Sequence, residues 1–177
     1  MSAAGTTAPG TKAPGTQERV PRPGGGSSGA RRRSVARLAA VQALYQLELN
    51  PGRGADAVVG EFVHHRLGRE IDGDVYGEAD EALFAEVVRG VAADRERLDQ
   101  TVSAALSEEW PLARLETLLR LILEAGAYEL VHRPDIPPRV TLSEYVAIAH
   151  AFFDGREPGL ANGVLHHLAR TLRGADL

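Results

Sequence analysis

Apolar residues recur every three or four positions through most of the chain, which is the spacing of amphipathic helices. The first such stripe follows three arginines and consists of Val35, Leu38, Gln42, Tyr45 and Leu49. Ser34 is predicted to cap this helix, because a serine hydroxyl can accept a hydrogen bond from a first-turn amide. The tripeptide Asn50-Pro51-Gly52 predicts its end, since proline lacks an amide hydrogen and glycine tolerates a positive φ.

Helical spacing continues in the rest of the chain, at about residues 55–67, 83–91, 98–106, 112–131, 142–152 and 161–172. No segment alternates as a half-buried strand would, so we predict an all-α fold of about seven helices. Residues 112–131 are apolar around most of the helix circumference, which predicts that this helix is central and surrounded by the others. Residues 70–81 are acidic and aperiodic, which is typical of a loop.

Three local signals refine these elements. Asp80 and Glu81 suit a helix start, where negative charge complements the helix dipole. Gly90 interrupts an apolar stripe, and because a mid-helix glycine costs about 1 kcal/mol against alanine, it predicts close packing of another helix. Thr141 and Glu144 have the spacing of a capping box, which predicts a helix start at Thr141.

The first 29 residues differ in composition from the rest. They are rich in glycine and proline and have almost no large apolar side chain, so we predict a disordered tail over 1–29 and one helical domain over 30–177. The tail lacks the apolar core of a secretory signal, and no segment has the length and hydropathy of a membrane span. With no cysteine in the chain, disulfides and thiolate sites are excluded, and a cytoplasmic location is expected.

The charge is unevenly distributed along the 177 residues. Residues 1–37 hold seven basic groups and one acid, whereas the remainder holds 13 basic and 23 acidic residues, so a segment of +6 precedes a body of −10. Arginines at a helix N-terminus are unfavourable for the dipole, which makes a polyanionic partner one explanation for them. A merely solvated basic run is the other.

Enzymatic chemistry finds little support in the sequence. The six histidines include two adjacent pairs, which point in different directions on a helix and make poor chelates. No phosphate-binding glycine loop, zinc-protease motif or nucleophile elbow is present, and the acids of residues 72–81 lack calcium-loop spacing. We therefore expect no catalytic residues, no metal site and no cofactor.

Three further places in the sequence offer candidate contacts with a partner. Tyr45 is either a stacking aromatic or a helix residue packed against a neighbour. Phe152 and Phe153 are adjacent, so one of them is expected near the surface. Asn162 precedes a glycine near the start of the last helix, where it either bonds neighbouring backbone or leaves room for a partner.

Five short pieces of the sequence occur in a specific order and spacing: the arginines with ALY at 43–45, FAEVVRGV at 84–91, AGAYEL at 125–130, VTLSE at 140–144 and NGVL at 162–165. With these pieces the chain resembles the NusB family of transcription antitermination factors over about residues 31–173. The resemblance implies two packed helical subdomains. It also implies binding to the boxA element of nascent ribosomal RNA together with NusE, a small-subunit ribosomal protein, within an antitermination complex of RNA polymerase.

The resemblance also implies which residues contact RNA. Those that match the family's RNA-binding positions are Arg31, Arg32, Arg33, Arg37, Tyr45, Phe152 and Asn162. Three positions depart from the family: Leu160 replaces a typical phenylalanine, His150 a lysine, and Arg156 a frequent acid. These departures affect contact details more than the implied function.

Parts of the sequence are also compatible with other functions. The same module can form the RNA-binding part of a ribosomal RNA methyltransferase, but the sequence contains no cofactor motif, so we do not expect that activity. A helical protein–protein adaptor with a solvated basic segment is the alternative from another class. The basic residues of 19–37 are all arginine and none is lysine, which favours phosphate binding, because the planar guanidinium fits a phosphate group. A homodimer that hides the RNA surface is a further possibility.

Overall fold

The computed structural model describes residues 28–68, 70–71, 74–75 and 78–174, with side chains described for 28–68 and 78–174. These residues form the helices α1 (Ser28–Leu49), α2 (Ala55–His65), α3 (Glu81–Ala93), α4 (Arg95–Ala105), α5 (Thr117–His132), α6 (Pro138–Phe152) and α7 (Glu157–Arg173). The predicted all-α fold of about seven helices is confirmed. The predicted disordered tail lies outside the described residues, except for its last two positions, which belong to α1.

The predicted loop between α2 and α3 contains a small ribbon. Its strands β1 (Glu70–Ile71) and β2 (Asp74–Val75) pair antiparallel, with Glu70 opposite Val75. Two residues per strand are too few to produce a periodic apolar pattern, so the sequence could not indicate this ribbon.

The helices pack in two groups that meet at α5. The first three helices contact one another, with α1 packed most extensively on α3, and α4, α6 and α7 surround α5. Every residue from 121 to 130 of α5 is buried, which confirms the predicted central position of this helix. Its predicted start at residue 112 was wrong, because Leu112–Arg114 form a separate 3-10 turn and α5 begins at Thr117. The buried face of α1 is built largely from alanine, at positions 36, 39, 40 and 43, and small side chains allow a neighbouring helix to approach closely.

Close packing also explains Gly90 of α3. A Cβ atom at this position would lie 2.1 Å from Cζ of Tyr128 on α5, so no larger residue fits without movement. The predicted close approach of another helix is confirmed. Asp80 caps α3 as predicted, since its carboxylate accepts a hydrogen bond of 3.0 Å from the Leu83 amide.

Two predicted helix starts were wrong. Ser34 does not cap α1, which begins six residues earlier at Ser28 and carries Ser34 inside the helix. Thr141 does not cap α6, because Pro138 occupies its first turn, where a missing amide hydrogen costs nothing. In both cases the hydroxyl bonds a glutamate of another helix instead. Among the described helices, none is long and apolar enough to cross a membrane.

Candidate nucleic-acid interface

Arg31, Arg32 and Arg33, called the arginine arm below, lie on the exposed first two turns of α1. The Arg32 carbonyl accepts a hydrogen bond of 3.0 Å from the Asp80 amide, which fastens the arm to the start of α3. Nε of Arg32 also lies 4.0 Å from a carboxylate oxygen of Glu78, and both side chains are largely exposed. A pair so exposed contributes little to stability, so the guanidinium groups of the arm are available to a polyanion.

Arg37 has a different position from the arginine arm, although the sequence grouped it with these residues. Its side chain is only 1% exposed. Nε donates to Glu129 Oε2 at 2.9 Å, and Nη2 donates to Glu129 Oε1 at 2.6 Å. Burial tends to lower the pKa of Arg37, but hydrogen bonding and charge from Glu129 outweigh it and raise that pKa. In this structure Arg37 has no surface to offer RNA.

The Arg37–Glu129 pair is the centre of a buried polar network between α1, α5 and α6. Glu129 is fully buried and also accepts hydrogen bonds from the Thr141 hydroxyl at 3.1 Å and the Tyr145 hydroxyl at 3.2 Å. Burial, followed by the charge of Glu129, raises the pKa of Tyr145 well above its usual value, so the phenol stays a donor. Each oxygen of Glu129 therefore has partners, as a buried charge requires.

Glu144 of α6 connects this network to the surface. One of its oxygens accepts a hydrogen bond of 2.9 Å from the Ser34 hydroxyl, and the other lies 3.5 Å from Nη1 of Arg37. Its side chain is 25% exposed. The residue that follows the arginine arm is thus bonded directly to α6.

The other predicted contact residues lie on α1, α6 and α7. Tyr45 is half-buried against the core and follows Arg33 by 12 positions, which is about 18 Å along a helix. Phe152 is 40% exposed at the end of α6, whereas Phe153 packs on the core. Asn162 is exposed on α7. Of the predicted contact residues beyond the arm, Phe152 and Asn162 are therefore the ones whose side chains are exposed.

A second buried carboxyl lies elsewhere on α5. Glu124 is fully buried, and burial together with a hydrogen bond to Asp99 raises its pKa from 4.5 to about 8. Arg95 and Arg120 lie 3.6 and 3.4 Å from its carboxyl oxygens, and both also pair with Glu48 of α1.

Sequence reasoning missed both glutamates of α5, although two acids within the most apolar segment were a signal that each had a buried partner. Within the described residues, no group of three His, Asp or Glu side chains could hold a metal ion.

Comparison with known proteins identifies relatives of the whole helical part. The model of a family described as the NusB family matches residues 34–170. The transcription antitermination protein NusB of Rhodopseudomonas palustris (strain BisB18) is 49% identical over 148 residues, covering 84% of this chain and 87% of the relative. The protein of the same name from Bradyrhizobium diazoefficiens is 51% identical over 147 residues, covering 83% and 88%.

Solved structures with the same fold agree with this result. NusB of T. maritima superposes with a TM-score of 0.65 at 27% identity, covering 78% of this chain and 90% of that one. A crystal structure of the antitermination factors NusB and NusE in complex with dsRNA has a TM-score of 0.65 at 22% identity, covering 80% and 98%. At that identity the second likeness shows the fold alone.

Proposed function

This chain belongs to the NusB family, and we propose that it binds the boxA element of nascent ribosomal RNA, together with NusE, as a transcription antitermination factor. The family consists of RNA-binding transcription factors and not of enzymes, as the sequence led us to expect. The observation that carries the proposal is the arginine arm, which displays three exposed guanidinium groups on a body that is otherwise acidic.

The arginine arm supplies affinity for the RNA backbone. Each guanidinium that neutralises a phosphate releases a condensed counterion, so binding weakens as salt is added. Arg31 and Arg33 have no ion pair among the described residues, and Arg32 has only the long contact to Glu78. Arg37 is left out of this proposed contact set because it is buried.

Sequence preference requires a second set of contacts. Single-stranded RNA is recognised through stacking on exposed aromatics and through hydrogen bonds to base edges. Phe152 and Asn162 are exposed and suit these two roles, whereas Tyr45 is half-buried and offers only part of its ring. Leu160 is half-buried against the core, so it can give apolar contact to a base but no stacking.

NusE is the proposed protein partner. A body of net charge −10 complements a basic ribosomal protein, and complementary charge speeds association and favours the correct partner. A related NusB has been crystallised with NusE and dsRNA. We further propose that the assembly acts on RNA polymerase in the cytoplasm. We also propose that the free protein forms a homodimer, which covers the RNA surface until NusE binds.

Fluorescence anisotropy with labelled RNA tests the proposal. A boxA-like single strand is compared with a scrambled strand and with a duplex, with and without NusE, at two or more salt concentrations. We expect the boxA-like strand to bind most tightly, NusE to increase this affinity, and salt to reduce it.

Arg31→Ala and Arg33→Ala report on the arm. Each change should lower the slope of log affinity against log salt by about 0.7 for a single strand. Arg97→Ala, which removes an exposed arginine of α4, is the matched control and should leave the slope unchanged. Equal and weak binding of all three RNAs, with or without NusE, would overturn the proposal and leave the adaptor function standing.

A further inference from the structure

We propose that Ser34 and Glu144 are positioning residues that hold the arginine arm in place for RNA without touching RNA themselves. The inference rests on the proposed RNA-binding function. It assigns a role to the contact between Ser34 of α1 and Glu144 of α6. Direct binding to RNA would not predict this role, because the carboxylate of Glu144 has the same sign of charge as the RNA phosphates.

The contact is placed where it can order the arm. Ser34 directly follows Arg33, and its hydroxyl lies 2.9 Å from Glu144 Oε1, with a second contact of 3.1 Å to the Ala30 carbonyl. The other oxygen of Glu144 lies 3.5 Å from Nη1 of the buried Arg37. Both oxygens of Glu144 are thus committed to α1, and Arg37 is itself fixed by two hydrogen bonds to Glu129.

The arm needs this support because its own sequence is unfavourable for a helix start. The first turn of α1 contains no acidic residue, and three arginines in its first two turns oppose the helix dipole. Helix ends with few contacts fray easily. The Asp80 amide fastens the Arg32 carbonyl on the α3 side, and Glu144 fastens Ser34 on the α6 side. The arm is therefore held from two sides.

Positioning and simple electrostatics predict opposite effects of losing Glu144. Removal of a negative charge beside the arm should strengthen RNA binding if charge alone matters. Loss of the contact should weaken binding if position matters, because the RNA must then order a frayed helix end. The sign of the change in affinity therefore separates the two.

The test measures RNA affinity and its salt dependence for four variants. Ser34→Ala and Glu144→Ala should each weaken binding of the boxA-like strand about fivefold, which corresponds to about 1 kcal/mol for one lost hydrogen bond. The salt slope should stay at the wild-type value, because the same phosphates are neutralised. Glu144→Gln should restore most of the affinity, since its amide oxygen still accepts from Ser34. Ser143→Ala is the matched control, because that exposed hydroxyl bonds only the Val140 carbonyl among the described residues.

Hydrogen exchange of the free protein tests the same contact without RNA. The amides of residues 32–36 should exchange about fivefold faster in Ser34→Ala and Glu144→Ala, while those of α5 stay protected. If wild type bound no RNA, the proposed function would fail while exchange still reported on the arm. Unchanged exchange, an affinity of Glu144→Ala equal to or tighter than wild type, or a reduced salt slope in that variant would overturn the positioning role.

Discussion

Replacing Glu124 by glutamine should make the protein more stable above neutral pH. Glu124 is fully buried, and burial together with the hydrogen bond to Asp99 raises the pKa of its carboxyl from 4.5 to about 8. Between these two values the native carboxyl holds a proton that the unfolded chain releases. The native state is therefore stabilised by this proton at low pH and loses that advantage as pH rises toward 8.

The magnitude follows from one proton. Stability changes by at most about 1.4 kcal/mol for each pH unit per proton, so wild type should lose about 3 kcal/mol from this group between about pH 5.5 and 8. Glutamine does not titrate, and its amide can donate to Asp99. Arg95 and Arg120 keep Glu48 as a partner in the variant. The two proteins should therefore be about equally stable near pH 4 and differ by about 4 kcal/mol near pH 8.

Urea unfolding at a series of pH values provides the assay, followed by circular dichroism and by the fluorescence of the single tryptophan, Trp110. The two proteins differ only at position 124, so the difference between the two stability curves isolates Glu124. Glu96→Gln, an exposed change on α4, is the matched control and should follow wild type. Parallel curves for wild type and Glu124→Gln would refute the reasoning, because they would mean that the buried carboxyl is already ionised at pH 6.

Three further substitutions test the packing of α3 on α5 and the buried network. Gly90→Ala should destabilise the protein by about 2 kcal/mol, because the added Cβ would lie 2.1 Å from the Tyr128 ring. Gly60→Ala in the middle of α2 meets nothing within 4 Å and should instead add up to about 1 kcal/mol. An equal effect of the two, measured by thermal unfolding, would argue against the close approach of α3 and α5. Arg37→Met should cost about 3–5 kcal/mol because it leaves Glu129 buried without its cation, and a loss below 1 kcal/mol in urea unfolding would contradict the pairing.

Hydrophobic periodicity was sufficient to predict the seven helices and the central position of α5, because burial of one stripe determines each helix. Helix starts were less predictable. A serine and a threonine with good capping chemistry were available at positions 34 and 141, but both lie inside helices, where their hydroxyls bond distant glutamates. Capping rules use only neighbouring residues, so they cannot include a partner more than 100 residues away, as Glu144 is for Ser34.

In the candidate site, too, the sequence could not reveal a partner that is distant along the chain. Exposure of the arginine arm was expected, but Arg37 was grouped with it because the four arginines are close in sequence. Its partner Glu129 is 92 residues distant, and only the packing of α1 on α5 brings the two together. Within one helix, a step of one turn separates a guanidinium that faces solvent from one that is buried in the core.

The continuity of α1 from the surface into the core also determines how far the arm can be redesigned. Positions 31–33 face solvent, so charge can be added or removed there without a change in packing volume. Positions 36, 39, 40 and 43 are alanines that are fully buried, so a longer side chain would push α1 away from its neighbours. Positive charge that strengthens binding to a polyanion therefore has to be added on the N-terminal side of residue 31. On the C-terminal side, α1 soon enters the core.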